Sequence, residues 1–151
     1  MFIWLIIALL TVILDQISKA LIVANFSLTD HFTFVPGLFD IVYVRNTGAA
    51  FSILENHTWI LGAISVLFSI AIVIYMFKTK PTDKFSRLSA GLLLGGALGN
   101  GIDRILRHYV VDFIEFTLFS FPVFNLADVA ITVGAALIII RVLSEKENKE
   151  D

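Results

Sequence analysis

Residues 2–24 read FIWLIIALLTVILDQISKALIVA, a run broken only by Thr11, Asp15, Gln16, Ser18 and Lys19. At about 1.5 Å per residue such a helix covers the roughly 30 Å hydrocarbon layer of a bilayer. A secretory leader has a basic start and no acid in its apolar centre. This run lacks the first and carries Asp15 in the second, so it reads as a retained helix. Three more apolar runs follow, at about 59–77, 88–103 (through LLLGGALGN) and 124–143. The sequence therefore predicts an all-α membrane protein. It is expected to form one domain over residues 1–151, a four-transmembrane-helix bundle with spans at about 2–24, 59–77, 88–103 and 124–143.

Composition agrees with that solvent. The 151 residues are 58% hydrophobic and 16% charged, against about 25% charged in an ordinary soluble domain. A formal charge of −2 excludes nucleic-acid binding through net basicity. Without a single cysteine, disulfide scaffolds, thiolate metal sites and cysteine nucleophiles are excluded. Orientation follows from the basic residues. Lys78, Lys80, Lys84 and Arg87 cluster between the second and third runs, and Arg141, Lys146 and Lys149 lie in the tail. These stretches and both termini are expected in the cytoplasm, with 25–58 and 104–123 outside. Residues 31–51, HFTFVPGLFDIVYVRNTGAAF, are β-branched and aromatic around a Pro36-Gly37 turn. They predict a small extracytoplasmic β-sheet at about 32–54, with Trp59 and Tyr43 at headgroup level.

Ionisable side chains at membrane depth cost roughly 2.5–3.5 kcal/mol on insertion scales and point to function. With the orientation above, Asp15, Gln16 and Lys19 fall in the outer half of span one. Asn100, Asp103 and Arg104 end span three, and Asn125 and Asp128 begin span four. Asp112 lies in the outer connection. Four segments thus bring acids and amides to one level. Several have plain structural readings. Asp15 and Lys19, four apart on one helical face, either neutralise each other or serve the site, and Asp15 can do both. Asp103 reads as an ion pair with its neighbour Arg104. Gly91, Gly95 and Gly99 form a small-residue stripe for helix packing rather than a phosphate loop, and Asn125 suits a helix N-cap. Asp112 and Asp128 differ: neither has a cation within four residues, and both sit among apolar neighbours. Brought together, they would share one proton as an aspartic-protease pair does. With no HExxH, and with His31, His57 and His108 scattered through the outer segments, neither a metal site nor a cofactor is expected. A GxSxG nucleophile motif is also missing.

Five motifs in order, DQISK (15–19), RNTGAAF (45–51), GGALGNGIDR (95–104), VVDFI (110–114) and FNLADVAI (124–131), resemble those of the bacterial lipoprotein signal peptidases, signal peptidase II, across essentially the whole chain. The stretch between the last two motifs is short, which alters local outer surface. The resemblance implies a membrane-embedded aspartyl endopeptidase of the cytoplasmic membrane. It would cleave prolipoproteins before a diacylglyceryl-modified cysteine, with its active site toward the outer leaflet. It implies catalytic roles for Asp112 and Asp128 and substrate-holding by Asn46 and Gly48. Asn100, Arg104 and Asn125 would support the pair and the substrate backbone, Asp15 and Lys19 would lie close by, and Asp103, the rival for the second carboxylate, would stand behind the pair. The implied partners are lipidated precursors, membrane lipid and globomycin-type cyclic peptides. Two other readings remain: a small proton- or ion-coupled transporter relaying through Asp15, Asp112 and Asp128, and a structural membrane subunit whose polar residues bind a partner span.

Overall fold

The computed structural model describes residues 2–48 and 54–150, with side chains to Ser144. Its elements in chain order are α1 (Ile3–Asn25), β1 (His31–Val35), β2 (Phe39–Asn46), α2 (Thr58–Thr79), α3 (Lys84–Leu106), β3 (Val110–Phe116) and α4 (Leu126–Glu150). The four long helices fall where the apolar runs place them. By length and composition, α1, α2 and residues Leu126–Ser144 of α4 are able to cross a membrane. α3 is equally long but less apolar, and the reason is packing. Most of it is buried within the bundle, including Gly91, Gly95, Gly96, Gly99 and Asn100. It packs chiefly against α1, α2 and α4. Meanwhile α1, α2 and α4 turn large side chains such as Leu9, Leu14, Leu67 and Ile139 outward, a hydrocarbon-facing girdle.

Glycine sets the helix spacing. A Cβ on Gly95 would lie 2.5 Å from Thr11 Cβ and 2.9 Å from the Ala8 carbonyl of α1, and one on Gly91 would lie 2.7 Å from Ile7 Cβ. On another side of α3, a Cβ on Gly96 would lie 2.5 Å from the Ala127 carbonyl of α4. The small-residue stripe thus packs as expected. Replacing Gly95 with valine forces α1 and α3 apart, and a loss of about 1–3 kcal/mol or more is expected. Thermal unfolding of the detergent-purified protein measures this, with the outward Leu98→Ala as the tolerant control.

The sheet is three-stranded and antiparallel, in the order β1-β2-β3. Pro36-Gly37 makes the turn between β1 and β2: Leu38 N–H donates to the Val35 carbonyl at 3.0 Å and Gly37 has φ +74°, which suits glycine at the third position of a type II turn. Within the predicted segment, 32–35 and 39–46 are strand; Thr47, Gly48 and Leu54 are not, and 49–53 lies outside the described residues. β3 is an addition, because VVDFIEF was read only as connection. Tyr43 is a correction. It packs with Ile22, Val111 and Phe113 in a core against α1, so its ring faces protein rather than lipid, whereas Trp59 is 71% exposed.

One irregularity in β2 positions the site. Ile41 pairs with Ile114, but Val44 pairs with Asp112, so β2 has an extra residue between them. Side chains alternate faces along a strand, and one inserted residue reverses the alternation. Asn46, five residues from Ile41, would otherwise face away from Ile114; the bulge brings it to the face of Val110, Asp112 and Ile114.

Candidate active site

The chain after β3 turns back on itself. Phe124 exchanges backbone hydrogen bonds with Ile114 (N···O 2.8 and 3.0 Å), so Asn125 arrives beside Asp112 just before α4 starts. Asn125 then caps that helix reciprocally with Asp128: the Asp128 N–H donates to Asn125 Oδ1 at 3.0 Å, and the Asn125 N–H donates to Asp128 Oδ2 at 3.1 Å. This is a capping box with aspartate in the position usually held by glutamate. The N-cap expected of Asn125 is present, and the same residue links the two acids, because its Nδ2 donates to Asp112 Oδ1 at 2.6 Å.

Each carboxyl has a second amide donor. Asn46 Nδ2 donates to Asp112 Oδ2 at 2.8 Å, and the Gly48 N–H donates to Asn46 Oδ1 at 2.9 Å, which fixes the orientation of that amide. Asn100 Nδ2 donates to Asp128 Oδ1 at 2.8 Å. Arg104 Nη2 donates to the Gly48 carbonyl at 3.3 Å. Asp112 is buried and Asp128 half-buried. Burial pushes the Asp112 carboxyl up to about 7; the Asn46 hydrogen bond opposes this and the Asp128 charge adds to it. Asn46, Asn100, Arg104, Asp112 and Asp128 line one cavity of about 470 Å³, whose apolar wall includes Phe116, Phe121, Val123, Val129 and Val133. Phe116 is the hub of that wall, with ring centroids 5.8 Å from Phe121 and 5.4 Å from Phe124. A second cavity, of about 500 Å³, meets the first at Asn46 and Asp112 and is edged by Arg45, Thr47, Glu55 and Ser120.

Behind the acids lies a buried ionic layer. Lys19, wholly inaccessible, is 2.9 Å from Asp15 Oδ2 and 3.0 Å from Asp103 Oδ2, and it donates to Asn100 Oδ1 at 2.9 Å. Asp15 also accepts the Ala127 N–H of α4 at 3.0 Å. Asp15 therefore pairs with Lys19 as one reading of the sequence held, and it is sealed off from both cavities. The expected Asp103–Arg104 pair is corrected. Asp103 pairs with Lys19, and with Arg107 one turn on at 3.4 Å, because adjacent residues on a helix point in different directions whereas i,i+4 residues meet. That releases Arg104 to face the cavity. Gln16, which the sequence placed at this level without a role, donates from Nε2 to the Gly99 carbonyl at 3.1 Å. The sequence reading missed the phenylalanine cluster of the cavity. The i,i+4 spacing of Asp103 and Arg107 was visible, but the other contacts depend on tertiary structure.

A membrane-embedded chain with two acids on one crevice points to an intramembrane hydrolase, and comparison with known proteins agrees. Residues 7–144 match the family described as Signal peptidase (SPase) II. The chain belongs to that family, a family of membrane peptidases. Two solved structures, each described as a bacterial membrane enzyme, are similar in fold and are each 37% identical in sequence. One has a TM-score of 0.93, covering 99% of this chain and 92% of its own. The other has a TM-score of 0.87, covering 95% and 94%.

Proposed function

We propose that the chain is an aspartyl endopeptidase that removes the signal peptide from prolipoproteins, cutting before the diacylglyceryl-modified cysteine. The observation that carries this reading is the placement of Asp112 and Asp128 on either side of Asn125, lining one cavity with an apolar wall. Asp112, with its raised affinity for a proton, is the protonated member and hydrogen-bonds the scissile carbonyl oxygen. Asp128 takes a proton from the attacking water, and the resulting tetrahedral intermediate collapses as a proton passes to the leaving amine. Asn46, Gly48, Asn100 and Asn125 hold the two carboxyls in register, and Arg104 steadies the substrate backbone. The phenylalanine-walled cavity takes acyl chain and the adjoining polar cavity takes peptide. The placement of basic residues supports cytoplasmic termini, which puts the sheet end of the bundle at the outer leaflet. A relay reading is disfavoured by Asp15, which is locked between Lys19 and the start of α4.

The test is cleavage by purified protein of a diacylglyceryl-modified precursor and of the same precursor with an unmodified cysteine. The first is cut at least a hundredfold faster; equal rates, or no cleavage of either, overturn the reading. The same assay gives a pH dependence. The pair works with one shared proton, so kcat/KM falls about tenfold per pH unit once Asp112 deprotonates above about 7. An activity still rising at pH 9 would contradict this assignment.

A further inference from the structure

On the sheet face turned away from the cavity, three strands bring together His31, Asp40 and Glu115, whose ligand atoms lie within 4.8 Å of one another. We propose that these residues form a binding site for a divalent transition-metal ion of the zinc type, which staples β1, β2 and β3 together. Register places them there. Asp40 is directly opposite Glu115, and Thr33 is opposite Asp40. His31, two residues before Thr33, therefore projects from the same face one diagonal step away. Like charges facing each other across a ladder repel, and a bound divalent cation would relieve that repulsion more fully than the single imidazole beside them.

The structure supplies only part of what Asp40 requires. Asp40 is 6% exposed. His31 Nε2 is 3.1 Å from Asp40 Oδ2 and 3.5 Å from Glu115 Oε2, while Asp40 Oδ1 is buried without a hydrogen-bond partner among the described residues. A buried carboxylate oxygen lacking a donor is an exception that calls for a missing ligand. A metal ion bound by the Asp40 carboxylate provides one. Donors of a tetrahedral zinc site stand about 3–3.5 Å apart, given bonds of about 2.0–2.2 Å, so the observed cluster needs to contract only slightly. One imidazole and two carboxylates also balance a doubly positive ion, and the mixed nitrogen and oxygen set favours zinc over magnesium. His31 and Glu115 are 54% and 39% exposed, which leaves an entry path and room for a water ligand. Each residue comes from a different strand, so no sequence motif announces the site.

Calorimetric titration of the chelator-stripped full chain in detergent with zinc chloride tests the proposal. One equivalent binds with micromolar or tighter affinity and raises Tm, and magnesium binds at least a hundredfold more weakly. His31→Ala and Glu115→Gln each weaken zinc binding at least tenfold while circular dichroism stays unchanged, and Asp128→Asn leaves the affinity as it was. Lack of saturable binding in the unsubstituted protein overturns the site. So does an affinity unchanged in His31→Ala, or lost in Asp128→Asn. Because the readout is binding rather than cleavage, failure here leaves the peptidase reading standing.

Discussion

Asp112→Asn and Asp128→Asn proteins are expected to fold and to bind lipidated precursor, but to cleave it at least a thousandfold more slowly than the unsubstituted protein. The magnitude follows from the role. Positioned proton transfer contributes about 10²–10⁴ in rate, and a unit that shares one proton loses its whole function when either member stops titrating. Folding survives because an asparagine keeps an acceptor oxygen. At position 128 that oxygen still receives the Asn125 N–H of the helix cap, and at position 112 it still receives an amide from Asn46 or Asn125. Thermal unfolding then supplies an internal control. The Asp112 carboxyl is raised from 3.8 to about 7 by burial. A group raised in the folded state stabilises below its unfolded pKa, and that stabilisation is lost as pH rises through the folded value. The unsubstituted protein should therefore lose on the order of a few kcal/mol between pH 4 and pH 8, at about 1.4 kcal/mol per unit. Asp112→Asn should remove that slope and be the more stable protein at pH 8. Full cleavage by either variant would remove its residue from the catalytic pair.

Lys19→Met should be the most damaging single change outside the pair. Methionine fills similar space but leaves Asp15 and Asp103, both fully buried, without their shared cation. Breaking a buried ionic group by removing one partner typically costs about 3–5 kcal/mol. The damage should also reach the chemistry. Asn100 presents its oxygen to Lys19 and its Nδ2 to Asp128; without the ammonium, one reason for that orientation disappears, and kcat should fall more than KM changes. A triple variant, Lys19→Met with Asp15→Asn and Asp103→Asn, removes the stranded charges and should recover much of the lost Tm. Recovery of Tm without recovery of kcat would separate the positioning role of Lys19 from its structural one. A Lys19→Met protein that melts within a degree or two of the original would show that the ionic layer does not hold the bundle.

Much of this was legible in the chain because hydrophobic runs and isolated acids are local signals. The four helices were placed by apolar length alone. Asp112 and Asp128 stood out because neither has a neighbouring cation, and the structure puts both on one cavity. What stayed hidden depends on distant partners. β3 was overlooked because VVDFIEF is too short and too uniformly apolar at its start to show alternation, being buried on both faces. Asp103 was assigned to the wrong arginine because proximity in sequence stood in for proximity on a helix. Lys19 read as half of a local pair, whereas it ties α1 to α3 by reaching Asp103 and Asn100 as well as Asp15. His31, Asp40 and Glu115 carried no shared signal until the strands were paired.

The extra residue in β2 makes the enzyme's tolerance of length changes uneven along the chain. Losing or gaining one amino acid at the Pro36–Leu38 tip would merely resize a hairpin end. The same event between Ile41 and Val44 would turn over everything downstream in that strand: Asn46 would swing away from Asp112, and Tyr43 would be driven out of the hydrophobic interior. Natural insertions and deletions among related chains should therefore collect at the tip and avoid the four residues that count out which way the amide points.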